Sequence, residues 1–223
     1  MKKLLLFVVL CLVSSSAYSV DCDVLRDKMM YVKGEYKAAN YNKHVQVVNT
    51  YYDSGCKSPT PPEYKGHLGE KIDRNWELGN VAFFTANDSP EYREKYLLLA
   101  YNYYKRSETD NGFVAGDVAK HLGFYYKNKG SYDNAIIWFE RAVEMLDWHQ
   151  KETTFVHASI GECWELKGNY GKAAHYYTFA INTINYVRDV KTYEDAKRNQ
   201  DLSEYEAFLS QKRTQCEIKE RNY

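Results

Sequence analysis

Proline is scarce in this chain, four residues in 223, so long helices can run without the interior breaks that proline imposes. An excess of one charge is also lacking. Lys and Arg number 30 and Asp and Glu number 30, so no clustered positive field singles out nucleic acid as a partner, and none is expected. Beyond the first twenty residues no stretch is apolar enough to span a membrane, and no membrane insertion of that part is expected. Several chemistries lack their signatures: there is no metalloprotease helix motif, no phosphate-binding glycine loop and no Gly-x-Ser-x-Gly elbow. The cysteines lack the close spacing of a metal site. No catalytic residue, metal or cofactor is expected. What is present is tyrosine, 22 residues, among mixed Lys, Glu, Ala and Leu, a composition that suits helices.

The N-terminus reads as a secretory signal. Met1-Lys2-Lys3 is followed by the apolar run Leu4 to Val13 and by the small residues Ser14 to Ser19, the tripartite pattern of a signal peptide. Ala17 and Ser19 place cleavage after Ser19. The run falls short of the roughly 20 residues of a membrane span, which argues against an uncleaved anchor. Leu10 before Cys11 and Asp21 before Cys22 argue against lipid attachment. The expected location is periplasmic or secreted, with the two-lysine start favouring a bacterial periplasm. In a eukaryotic secreted protein, Asn87-Asp88-Ser89 would be a glycosylation acceptor. Residues 20–223 then form one domain, slightly acidic once Lys2 and Lys3 are removed.

The chain repeats itself. Ala119-x-x-Leu122-Gly123-x-x-Tyr126 and Gly130-x-Tyr132-x-x-Ala135-x-x-x-Phe139-x-x-Ala142 match, spacing for spacing, His157-x-x-Ile160-Gly161-x-x-Trp164 and Gly168-x-Tyr170-x-x-Ala173-x-x-x-Tyr177-x-x-Ala180. Gly123 and Gly161 are small enough for two helices to approach closely, and the alanines do the same from the second helix. Gly130 and Gly168 suit helix ends that need positive φ. Such a hairpin cannot bury its apolar face alone and must stack on neighbours. A degraded unit precedes these two, with Asn75-x-x-Leu78-Gly79-x-x-Ala82 and Ala100-x-x-x-Tyr104-x-x-Ser107. Its turn is expected at Asn87 to Pro90, with Pro90 in the first turn of the second helix.

This pattern resembles the tetratricopeptide repeat (TPR), a helix-turn-helix unit. The opening aromatic is replaced by Asn75, Ala119 and His157, and the closing proline is missing. The related Sel1-like repeats tolerate the longer offset, but their extra glycine-rich turn is absent. The resemblance implies an all-α fold, a right-handed α-solenoid of stacked antiparallel helix hairpins. Its units are an N-terminal hairpin at 22–56 turning near Asn40, a degenerate repeat at 64–107, and repeats at 112–146 and 152–187. Residues 190–223 carry Leu202, Tyr205, Leu209 and Cys216 on one stripe and are expected to form a C-terminal capping helix.

Four cysteines lie beyond residue 20, and two disulfides in an oxidising compartment have three connectivities. Cys22 and Cys56 flank the expected turn at similar distances, so antiparallel helices would join them. Cys163 and Cys216 are expected to pair at the other end, with a buried reduced Cys163 as the alternative. A catalytic His157–Cys163 pair is disfavoured, because six residues of helix put the two side chains on roughly opposite faces.

In proteins of this resemblance the first helices line a concave groove that grips a partner polypeptide. Carried onto this sequence, the groove would present Trp76, Asn80 and Phe83, then Asp117, Lys120, Phe124, Lys127 and Asn128, then Phe155, Glu162 and Glu165. The expected partner is another protein or peptide segment. The implied function is that of an exported scaffold or adaptor rather than an enzyme. An inhibitor or immunity-type protein that occludes an exported toxin or enzyme is the alternative, and a helical hydrolase a third reading. Self-association through an open end of the stack would give a homodimer.

Overall fold

Helix starts and stops are written locally in this chain. In the computed structural model, which describes residues 21–29, 34–59, 71–109, 112–146, 150–189 and 196–222, the Asp21 carboxylate accepts from the Asp23 and Val24 amides to open α1 (Cys22–Lys28). Asp73 accepts from the Trp76 amide at 2.7 Å to open α3 (Arg74–Asp88), satisfying a donor that would otherwise lack a partner. At the other end, α5 (Phe113–Asn128) closes with Ser131 N–H donating to Tyr126 C=O at 2.9 Å and Gly130 N–H to Lys127 C=O at 3.0 Å. The helix α7 (Gln150–Leu166) repeats this geometry, with Asn169 N–H on Trp164 C=O and Gly168 N–H on Glu165 C=O, both at 2.9 Å. Gly130 and Gly168 sit at φ +72° and +76°, the left-handed cap that glycine adopts without a Cβ penalty.

The remaining helices are α2 (Tyr41–Asp53), α4 (Arg93–Tyr104), α6 (Tyr132–Leu146), α8 (Tyr170–Asp189) and α9 (Ala196–Arg221). Helices α3 and α4, α5 and α6, and α7 and α8 pack as hairpins, each hairpin packs on the next, and α9 packs on α8. The protein is a TPR-like α-solenoid with α9 as its C-terminal cap. Strand is confined, among the described residues, to a two-residue antiparallel ladder of Ser58–Pro59 with Lys71–Ile72. The Tyr52 hydroxyl donates to Ile72 C=O at 3.0 Å and ties that ladder to α2.

The same contact closes each of these three hairpins. A Cβ built on Gly79 would lie 2.8 Å from the Tyr104 ring, one on Gly123 2.4 Å from Phe139, and one on Gly161 3.0 Å from Tyr177. Each aromatic stands four residues after a fully buried alanine, Ala100, Ala135 or Ala173, so both lie on one helical stripe. One core runs from Trp76 through Leu122 and Phe139 to Cys163. A second joins Ala173, Tyr177 and Ile184 to Leu209 and Cys216 of α9, and a third gathers Tyr36, Val48 and Tyr51 near the N-terminal disulfide.

Several expectations are refined. Pro90 opens a 3-10 turn, Pro90–Tyr92, directly before α4. Asn40 closes a 3-10 turn, Ala38–Asn40, that leads directly into α2. The segment 34–38 is held to the α3–α4 turn: the Asp88 carboxylate accepts from Gly34 N–H (2.7 Å) and Tyr36 N–H (3.1 Å), and Ser89 Oγ accepts from Ala38 N–H (2.8 Å). The signal reading at 1–19, residues 64–70 of the first repeat and residues 190–195 lie outside the described residues.

Cys22 and Cys56 are disulfide-bonded, with Cα atoms 5.7 Å apart. The second expected bridge is corrected: Cys163 and Cys216 are both buried free thiols. They belong to different cores. Cys163 follows Val156 and Ile160 at helical spacing into the core shared with Phe139, whereas Cys216 faces Tyr177 and Ala180. Burial pushes the Cys163 thiol up to about 11 and raises that of Cys216, which suppresses the reactive thiolate. A protein spanning residues 20–223, kept free of reductant, is therefore expected to show no thiol reactive toward a disulfide-exchange reagent while native. Two of its four cysteines should react once it is unfolded in denaturant, and a count of zero would restore the Cys163–Cys216 bridge.

Candidate partner-binding groove

The first helices α3, α5 and α7 meet along one side of the stack, and their side chains contact one another across repeat boundaries. The Phe83 ring of α3 stands edge-on to His121 of α5, with centroids 5.4 Å apart. Lys127 of α5 is ion-paired with Glu162 of α7. Phe155 of α7 lies 5.1 Å from Tyr205 of α9. These contacts make one continuous face out of three repeats and the cap.

The expected groove residues divide into two groups on this frame. Trp76 is buried and edge-on to Tyr104 at 5.2 Å. Phe124 stands edge-on to Phe139 at 5.0 Å. Both therefore lend much of their surface to hairpin interiors. Asn80 Oδ1 accepts from the Tyr104 hydroxyl at 2.7 Å and its Nδ2 donates to Glu77 at 3.3 Å. Glu165 accepts from the Tyr177 hydroxyl at 3.0 Å. A tyrosine buried at the glycine contact needs a partner for its hydroxyl, and in the first and third repeats Asn80 and Glu165 supply it. Phe139 has no hydroxyl and makes no such demand.

The charges of this face are largely paired within the molecule. Asp117 lies 2.5 Å from Lys120 and 3.5 Å from His121 Nε2. Glu165 is reached by Lys212 at 2.9 Å and Lys219 at 3.5 Å from the capping helix. These two lysines lie beside an expected groove residue and were not foreseen from the sequence, because α9 carries no repeat signature to place them. The helical spacing of Lys212 and Lys219 to Cys216 was the available signal. Asn128 and Phe155 are the exposed members of the expected set. His157, by contrast, faces α8: its ring stacks on Phe179 with centroids 5.5 Å apart, whereas Cys163, six residues on, belongs to the core shared with α6.

Burial works against the Asp117 charge, but hydrogen bonds from His121 and Lys120 outweigh it and hold the carboxyl down at about 2. For Glu165 burial is likewise overcome, by hydrogen bonds from Lys212 and Tyr177, and its pKa is lowered. Among the described residues no three or more His, Cys, Asp or Glu side chains gather as a metal site, and no helix is long and apolar enough to cross a membrane.

No protein-family model matches the chain, and no curated protein matches it either. Solved structures with a similar course include BtubC (BKLC) from P. vanneervenii, at 13% identity and TM-score 0.49, covering 80% of this chain and 66% of that one. This chain thus spans just under two thirds of that structure. A Podosopora anserina protein described as kinesin light chain with nearly identical TPR-like repeats covers 91% and 92% at 9% identity and TM-score 0.46. MamA covers 69% of each chain at 17% identity and TM-score 0.40. The TPR-like assignment rests on the hairpins themselves.

The depressed Asp117 pKa makes a pH prediction. A carboxyl whose folded pKa lies below its unfolded value contributes stability above the unfolded value, and that contribution is lost as pH falls through the folded one. For Asp117 the window runs from 3.8 down to about 2. Urea unfolding of wild type and Asp117→Asn across that window should show the wild-type advantage present at pH 5 and shrinking toward pH 2.

Proposed function

We propose that this protein is a non-catalytic binding module that holds a partner polypeptide along the face formed by α3, α5 and α7, outside the cytoplasm. The observation that carries this reading is the run of contacts across repeat boundaries, from Phe83–His121 through Lys127–Glu162 to Phe155–Tyr205. It presents aromatic edges and both charge signs on one surface, the material from which peptide recognition is built. The lysine-led apolar N-terminus supports export, and the Cys22–Cys56 disulfide supports an oxidising compartment.

Internal pairing shapes how the face would work. A partner charge that engages Lys127 or Glu162 competes with an existing ion pair and offsets the pair it displaces. Partially exposed pairs contribute little to stability, about 0–1 kcal/mol, so such an exchange is cheap. The pairs would then hold the face in a defined arrangement before binding and select for partners whose charges match.

The test inverts the polarity without deleting the pair. In a Lys127→Glu/Glu162→Lys double variant the ion pair is retained with its sign reversed, so the fold should persist by circular dichroism. Crosslinked capture from the cell envelope is expected to recover a partner with the wild type and to lose most of it, about tenfold or more, with the swap. Equal capture by both would move the site off this face.

A further inference from the structure

A concave pocket of about 250 Å³ opens where the first repeat meets the second, beside Pro90 in the α3–α4 turn. Its polar lining is Arg93 from the start of α4, with His121, Asn128 and Lys129 from α5 and its end, and its apolar lining is Phe124 and Tyr125. No carboxylate lines it. Two carboxylates beside it are engaged within the molecule: Asp117 by Lys120 and His121, and Glu94 by the Tyr126 hydroxyl at 2.6 Å and by Tyr125. Among the described residues the Arg93 guanidinium makes one long hydrogen bond, 3.4 Å, to Asn87 Oδ1. The Lys129 ammonium rests 5.8 Å from the centre of the Tyr125 ring.

We propose that this pocket takes a carboxylate side chain of an acidic partner segment, with Arg93 and Lys129 receiving the charge and Phe124 and Tyr125 the apolar stem. The proposal rests on the binding-module reading and narrows it to one subsite and one partner chemistry. Charge complementarity chooses the occupant, because the lining offers donors and cations and no anionic acceptor. A planar guanidinium receives a carboxylate through two parallel hydrogen bonds. Size argues the same way. Pockets for whole small ligands run roughly 300–1,000 Å³, so this one suits a single side chain of a longer partner. Among the described residues Arg93 and Lys129 are in no ion pair, whereas Lys120 and Lys127 are, so an acidic segment meets them without displacing one.

The test uses two dye-labelled peptides, capped at both ends: Glu-Glu-Phe-Glu-Glu and its isostere Gln-Gln-Phe-Gln-Gln. Their binding is followed by fluorescence anisotropy at low salt. The glutamate peptide should bind the wild type at least about tenfold more tightly than the glutamine peptide, weakening as salt screens the charges. An Arg93→Ala/Lys129→Ala variant should abolish that preference. Lys105→Ala, a surface lysine outside the pocket, should keep it, and all variants should match the wild type by circular dichroism. Equal binding of both peptides, or equal loss in the Lys105→Ala control, overturns the proposal. A partner captured from the envelope equally by the wild type and by Arg93→Ala/Lys129→Ala would overturn this subsite while leaving the binding-module reading in place.

Discussion

The whole stack depends on one close approach repeated three times: a glycine on the first helix of a hairpin faces an aromatic ring on the second. Gly79 meets Tyr104, Gly123 meets Phe139, and Gly161 meets Tyr177. The ring replaces the missing side chain, so the helix axes come close enough for Ala100, Ala135 and Ala173 to be buried completely. Interiors are packed near crystal density, and a methyl group placed there has nowhere to go. From this follow the pairing of helices within each repeat, the direction in which the apolar faces point, and hence the continuous cores into which neighbouring repeats lock.

That constraint also decides which polar residues are structural. Where the ring is a tyrosine, its hydroxyl must be satisfied from the first helix, so Asn80 and Glu165 are bound to the hairpin that carries them. Glu165 then draws Lys212 and Lys219 onto itself, and the capping helix gains a polar anchor beside its apolar one at Leu209 and Cys216. The proposed binding face thus shares residues with the architecture. Arg93 and Lys129, which are free of that duty, sit at a repeat junction.

Much of the fold was legible in the sequence because its determinants are local and periodic. The Leu-Gly and Ala-x-x-x-aromatic spacings of residues 119–180 encode both helices and the contact between them, and Gly130 and Gly168 encode their ends. The site was less legible, for a physical reason. Helical periodicity says that Trp76 and Phe124 share the first-helix stripe with groove positions, but it does not say how far each ring leans into its own hairpin. Likewise, nothing in the spacing of Cys163 shows that its stripe, Val156-Ile160-Cys163, turns toward α6 rather than toward α9. Arg93 and Lys129 are far apart in sequence and become neighbours only when two repeats dock.

The account stands or falls on the middle hairpin. A double-mutant cycle on Gly123→Ala and Phe139→Leu, read by equilibrium urea unfolding, isolates the contact between the two positions. Each single change should destabilise the protein, the first by overpacking at about 1–3 kcal/mol and the second by a cavity. If the ring is what excludes a Cβ at position 123, the smaller leucine makes room for it. The double variant should then be more stable than the sum of the single losses, by on the order of 1 kcal/mol. Strict additivity would mean that the glycine and the ring do not set the distance between the helices, and would contradict the account.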